Sequence, residues 1–197
     1  MIEELTLKSF GADIEEYNAG DTVFKEGEMP QFYYQIAKGN VKLNNVRQNN
    51  KELIHCILND KQSIAEFTLF MNKTYPVNAV AITACEVLKL HKAGFLDLLV
   101  SYPNIYSKII CNLSDFVHFR LLMGGVLFEQ NPASKLISLL DHLKSSQDDR
   151  DPFSYQVPFT RQQLASLTGL RVETTIRTLK IMEKENVVKI SNGKVFY

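Results

Sequence analysis

The sequence predicts an α+β chain whose hydrophobic pattern changes character twice. Short alternating or apolar runs, broken by turn residues, fill residues 12 to about 92. From Ala93 the apolar spacing becomes helical and stays so through a long segment. The last 45 or so residues read as helix, glycine turn, helix and a short Asn-Gly hairpin. The expected division is a β unit over 1–102, a long helix over 103–130, and a small helical unit over 131–197.

The totals bound the answer. The chain has 197 residues with 22 basic and 22 acidic side chains, enough for one large or two small cores. The charge is segregated. Residues 153–197 hold seven basic side chains (Arg161, Arg171, Arg177, Lys180, Lys184, Lys189, Lys194) against three acidic ones (Glu173, Glu183, Glu185). A basic segment inside a neutral chain suits a polyanionic partner. Cys56, Cys85 and Cys111 are odd in number and widely spaced, so neither a disulfide framework nor a CxxC pair is expected. The N-terminal "MIEELTLKSFG" is acidic and polar, unlike a signal peptide, and no apolar run approaches the ~20 residues that span a bilayer. A cytoplasmic protein with no membrane partner is the expectation.

Strands are expected in "DTVFKEG", "FYYQIAKGNVKL", "LIHCIL", "VNAVAIT" and "CEVLKL", with turns at Gly20, Gly27, Gly39, Asn44-Asn45 and "QNN" at 48–50. Short strands at this spacing predict a sandwich or barrel. "AGFLDLLVSYP" predicts one helix, and Pro103 opens a longer one. Along it Tyr106, Ile109, Leu113, Phe116, Arg120, Met123 and Leu127 repeat at 3, 4, 3, 4, 3, 4. That row fits either a helix packed on its own sheet or the seam of a dimeric coiled coil, and its narrowness favours the dimer. Arg120 in that row needs a partner, and Gly124-Gly125 weaken the helix near its end.

Asn131-Pro132 supplies a cap and a first-turn proline for the helix "ASKLISLLDHLK", and "SSQDDRDP" is a loop. Thr160 and Gln163 have capping-box spacing, starting a helix to about Leu167. Gly169 makes the turn into a helix over about 172–184, with Ile176, Leu179 and Met182 expected inward and Glu173, Arg177, Lys180 and Lys184 outward. "VVKI", "SNGK" and "VFY" complete a hairpin, giving the order of a winged helix-turn-helix. An i, i+4 Glu–Arg pair is ordinarily a surface ion pair worth a few tenths of a kcal/mol. Here Glu173 and Arg177 open the second helix after a glycine turn, where such units enter the major groove. Arginine can donate twice to guanine, glutamate can accept from cytosine N4, and Arg161, Gln162, Arg171 and Lys180 are placed for phosphates.

"FTRQQLASLTGLRVETTIRTLKIMEKENVVKISNGKVFY" resembles the DNA-binding domain of CRP/FNR-family bacterial transcription regulators. "YNAGDTVFKEGEMPQFYYQIAKGNVKL" and "SIAEFTLF…AVAITACEVLKLHKAGFLDLL" resemble that family's cyclic-nucleotide-binding jelly roll, a double-stranded β-helix. The resemblance covers essentially the whole chain, and the heptad helix matches the family's dimerisation helix. It implies a homodimer that binds near-palindromic double-stranded DNA and works on RNA polymerase. Glu173 and Arg177 match the family's base-reading positions. Val172 replaces an arginine of the cAMP-responsive branch, resembles the oxygen-responsive branch and suits a thymine methyl; Ile176 replaces that branch's serine. The implied half-site has a TTG-like core. Thr160 and Thr174 join the phosphate-contacting positions.

The sensing positions depart from the family. Its glycine-glutamate pair becomes Ala65-Glu66, and the arginine-serine pair that holds the cyclic phosphate falls at about Tyr75-Pro76. The adenine-contacting hydroxyl residues become Arg120 and Leu121. cAMP is therefore not the expected effector; Glu66, Tyr75 and Arg120 mark a pocket for an unknown small effector, with Arg120 otherwise a structural ion-pair former. The cysteine cluster of the iron–sulfur branch is absent, His55, His91, His118 and His142 are scattered, and neither metal nor haem is expected. No nucleophile–base pair, HExxH or phosphate-binding glycine loop suggests an enzyme. The competing reading is a ligand- or protein-binding module whose helix-turn-helix no longer reads DNA.

Overall fold

A computed structural model describes residues 2–47, 51–145 and 151–197. Residues 48–50 of the expected turn and most of the "SSQDDRDP" loop lie outside them, and Asn44 and Asn45, expected in that turn, are instead buried and paired within the strand Val41–Val46. The chain divides into two compact units, Met1–Val117 and His118–Tyr197, so the division falls inside the long helix.

The first unit is two antiparallel sheets with helices, a jelly roll. Helix α1 (Glu4–Ser9) leads into β1 (Asp13–Tyr17), β2 (Thr22–Phe24), β3 (Phe32–Lys38), β4 (Val41–Val46), β5 (Glu52–Leu58), β6 (Asn78–Ala81) and β7 (Cys85–His91). One sheet has the order β1-β7-β3 and the other β2-β6-β4-β5. Register on β7 runs from Asp13 opposite Lys89 to Tyr17 opposite Cys85. The turn at Gly39 needs glycine twice over: φ is +104°, and a Cβ would lie 2.5 Å from the Ala84 carbonyl oxygen. A 3₁₀ turn, Glu66–Phe70, follows Ala65, which takes the left-handed conformation at φ 53°.

Helices α2 (Lys92–Ser101) and the start of α3 (Asn104–Phe128) close this core. Leu7, Leu88, Leu90, Phe95, Leu98, Leu99, Ile105 and Ile109 share one cluster, and the Tyr33 ring stacks on Phe95 with centroids 4.4 Å apart. Each such side chain contributes about 1.5–3 kcal/mol by leaving water.

The second unit begins on α3 and continues through α4 (Pro132–Ser145), α5 (Arg161–Thr168), α6 (Val172–Lys184) and the hairpin β8 (Lys189–Ser191) to β9 (Lys194–Phe196). Its helix starts follow the local chemistry the sequence offers. Asn131 Oδ1 accepts from the Ala133 amide at 2.8 Å. Thr160 Oγ1 accepts from the Gln163 amide at 3.2 Å, and the Thr160 amide donates to Gln163 Oε1 at 2.8 Å. Asn192 and Gly193, at φ 48° and 75°, make the hairpin turn. Leu136, Leu139, Leu140, Leu164, Leu167, Leu179, Met182, Val188 and Val195 are buried.

The faces of α3 differ from expectation. Ile109, expected in the seam, lies in the core of its own unit, and Met123 is only 2% exposed. The apolar stripe open to solvent is instead Tyr106, Ile110, Val117, Leu121 and Phe128, with Ser114 and Gly124 completing the 3–4 spacing. Leu121 is 73% and Phe128 91% exposed. This stripe carries no charge; Lys108 and Asp115 project elsewhere around the helix. By length and composition α3 is also long and apolar enough to cross a membrane, with a mean hydropathy of 1.2.

Candidate nucleic-acid interface

The surface predicted to read DNA is presented by α6. Arg171, at the N-cap in an extended conformation, makes no side-chain cap bond. Glu173, Ile176, Arg177, Lys180, Ile181 and Lys184 are exposed or nearly so, and they line one shallow depression of about 500 Å³. Val172 and Thr174 are half-buried at its start. Ion pairs join Lys8 to Glu4, Lys42 to Glu52 and Lys89 to Glu15 elsewhere in the chain, and among the described residues Glu173 and Arg177 do not pair with each other. Both ends of the i, i+4 pair are therefore held toward solvent without satisfying one another.

The inward face of α6 corrects one expectation. Ile176 is 40% exposed, and Thr175 takes the buried place with Thr178, Leu179 and Met182. Thr175 can be buried because its Oγ1 donates to the Arg171 carbonyl one turn back, at 3.2 Å. A β-branched hydroxyl residue thus fills a core position, and the isoleucine beside it stays outside.

The positions proposed for phosphates surround this helix. Thr160 and Gln162 are exposed at the start of α5. The Thr160 oxygen accepts within the capping box, which leaves its hydroxyl proton to donate. Arg161 Nη1 donates to the Gly193 carbonyl at the hairpin tip, tying the wing to the start of α5 while other guanidinium N–H groups remain. The turn from α5 into α6 is set by Gly169. It ends α5 at φ 69°, and a Cβ there would meet Leu127 Cδ2 at 3.1 Å. Lys135, 9% exposed, donates from Nζ to the carbonyls of Leu127 at 3.0 Å and Thr168 at 3.3 Å. The end of α3 and the turn of the helix pair are thereby bolted together, a role that no local sequence signal announced.

The residues expected at an effector pocket fall in both units: Glu66 and Tyr75 in the first, half-buried Arg120 in the second. Glu66 is buried, and burial pushes its carboxyl pKa up against hydrogen bonds from its own amide and from Ser63. Tyr75 is 4% exposed and stacks face to face on Phe24, centroids 3.7 Å apart and planes 11° off parallel. Burial raises its phenol pKa. Tyr75 is thus a packed core ring. Among the described residues, no group of three or more His, Cys, Asp or Glu side chains is gathered for a metal ion.

Comparison with known proteins decides the family. A cyclic nucleotide-binding domain model matches residues 14–102, and a Crp-like helix-turn-helix domain model matches residues 134–196. The chain belongs to the CRP/FNR family. It is 27% identical to the cAMP-activated global transcriptional regulator CRP of Escherichia coli O6:H1 over 183 residues, which cover 92% of this chain and 87% of that one. Two solved CRP/FNR-type structures share the fold. One is the c-di-GMP responsive global regulator CLP of Xanthomonas campestris, with a TM-score of 0.80 at 20% identity, covering 98% of both chains. The other is a CooA mutant from Carboxydothermus hydrogenoformans, with a TM-score of 0.84 at 14% identity, covering 99% of this chain and 87% of that one. As a CRP/FNR member the chain is a transcription regulator with a helix-turn-helix DNA-binding domain.

Proposed function

We propose that this regulator acts as a homodimer on a near-palindromic site, reading bases with Val172, Glu173 and Arg177. Thr160, Arg161, Gln162, Arg171, Thr174 and Lys180 hold the flanking phosphates and fix register. The observation that carries the reading is the outward, mutually unpaired presentation of Glu173 and Arg177 on the first turns of α6. An arginine so placed can donate twice to a guanine, and the carboxylate can accept from cytosine N4. The half-site core is TTG-like. The test is selection from random DNA by the full chain, followed by titration at increasing salt. An enriched half-site with a G·C pair and an affinity falling steeply with salt support it. Binding without sequence preference favours the non-reading module.

The second copy covers the uncharged stripe of α3. Gly124 and Gly125 have nothing within 4 Å of where a Cβ would stand, so two such helices can approach closely there. RNA polymerase is the partner through which bound dimer changes transcription, and the cytoplasm is the compartment.

The effector is not cAMP. CRP is cAMP-activated and CLP is c-di-GMP responsive, by their own names. In this chain the position that resembles the family's phosphate-binding arginine is Tyr75, a neutral ring locked on Phe24. A cyclic phosphate placed there would lose a charged hydrogen bond and displace core packing, each costing about 1–3 kcal/mol. An effector, if the dimer uses one, is a different small molecule held near Glu66. Isothermal titration of the dimer with cAMP is expected to give no binding heat; saturable binding in the micromolar range contradicts this part of the reading.

A further inference from the structure

Ile176 is an apolar side chain on a mainly charged face, which it shares with Ile181 further along α6. Single exposed apolar residues are common and by themselves mean little. The company of this one is what matters. It stands three residues after Glu173, next to Arg177 and four before Lys180, and all four line the same depression on α6. Val172 lies one turn back on the same flank of the helix. The flank beside the Glu173–Arg177 pair therefore carries two β-branched apolar side chains in succession. In a helix such side chains hold one χ1 rotamer, so their shape is presented at low entropic cost.

Resting on the DNA-reading assignment above, we infer that Ile176 is a specificity residue for a 5-methylpyrimidine in the major groove. The apolar feature a base pair offers there is the C5-methyl group, which thymine carries and unmodified cytosine lacks. Against a purine, Ile176 would cover N7 and O6 or N6 without returning a hydrogen bond, which is unfavourable. Both effects select the methyl group. Its step adjoins the G·C pair assigned to Arg177 and Glu173, because Ile176 precedes Arg177 in the chain and follows Glu173 by under one turn. The same contact would accept 5-methylcytosine, so the chemistry has two sources, thymine and methylated cytosine.

The experiment starts from the half-site that the full chain selects. Each thymine in it is replaced singly by deoxyuridine, and, in a second set, by cytosine or by 5-methylcytosine. Affinities are measured for the wild type, Ile176→Ser and Ile176→Val, with circular dichroism confirming that each variant is folded. For the wild type, one thymine beside the G·C step is expected to lose about fourfold as deoxyuridine, the factor for one buried methyl. At that step 5-methylcytosine is expected to recover affinity over cytosine by a similar factor. Ile176→Ser removes both differences, and Ile176→Val keeps part of each. A thymine response without a methylcytosine response assigns the contact to thymine. Selective binding that is blind to deoxyuridine at every position, or an undiminished penalty in Ile176→Ser, overturns the proposal and leaves the regulator reading standing. Failure of the wild type to select any sequence overturns both.

Discussion

Lys135 Nζ donates to the carbonyl oxygen of Leu127 at 3.0 Å, closing the end of α3 onto the first turn of α4. The same ammonium reaches the Thr168 carbonyl at 3.3 Å, where α5 gives way to the Gly169 turn. Lys135→Met keeps the aliphatic stem but leaves two helix-end carbonyls without this donor. A loss of about 1–3 kcal/mol is expected in urea unfolding. Specific DNA affinity should fall further than non-specific affinity, because the two reading helices are then less firmly spaced. Equal losses on both kinds of DNA would reduce Lys135 to a stabilising contact.

Arg177→Ala is expected to cost roughly 1–3 kcal/mol on the selected site and to relax preference at one base pair. Lys180→Ala should weaken binding to every sequence alike and lower the salt slope by about one. Gel-shift titrations across a salt series separate the two effects. An Arg177→Ala curve that overlays the wild type removes Arg177 from the reading set.

Leu121→Glu places a charge in the middle of the exposed stripe of α3, where Leu121 is 73% exposed in the single chain. Because the side chain is not part of the chain's own core, the fold should persist while the dimer dissociates. Analytical ultracentrifugation is expected to show monomer at concentrations where the wild type is dimeric, with loss of full-site binding. A dimer of unchanged strength would move the interface elsewhere.

Glu66 gives a pH prediction. Burial raises its folded-state pKa above the ordinary 4.5. The folded chain therefore holds this proton more tightly than the unfolded chain does. The associated stability is fully present below 4.5 and is lost as pH rises through the folded value. Glu66→Gln should flatten that part of the stability profile and gain most over the wild type at neutral pH. Thermal melts from pH 4 to 8 check it; parallel profiles would mean that the carboxyl is solvated.

Much of the fold was legible because its signals are local. Thr160 and Gln163, Asn131 before Pro132, and Asn192-Gly193 each specify their own geometry through the backbone groups beside them. The open and buried faces of α3 are not separable by pattern alone, because two apolar rows share the same 3–4 spacing. The buried row contains Ile109 and Met123, while Ser114 and Gly124 interrupt the open one and made it look less like a seam. Packing within each unit decides which row turns inward, with Ile109 in the core of the first and Met123 buried in the second. Ile176 was misread for a related reason. Hydrophobicity placed it inside, but Thr175 satisfies its hydroxyl on the helix's own backbone and occupies that place. The ring of Tyr75 lies on Phe24, 51 residues earlier in the chain, which no short-range pattern reveals.

The uncovered side of α3 ties the state of this protein to its abundance. A lone chain keeps oily surface in water, so newly made copies either find one another or risk sticking to something else. Pairing is second order in chain number, and halving expression would more than halve the dimer where association is incomplete. With Tyr75 packed on Phe24, synthesis and turnover are the dial on promoter occupancy that this pairing provides.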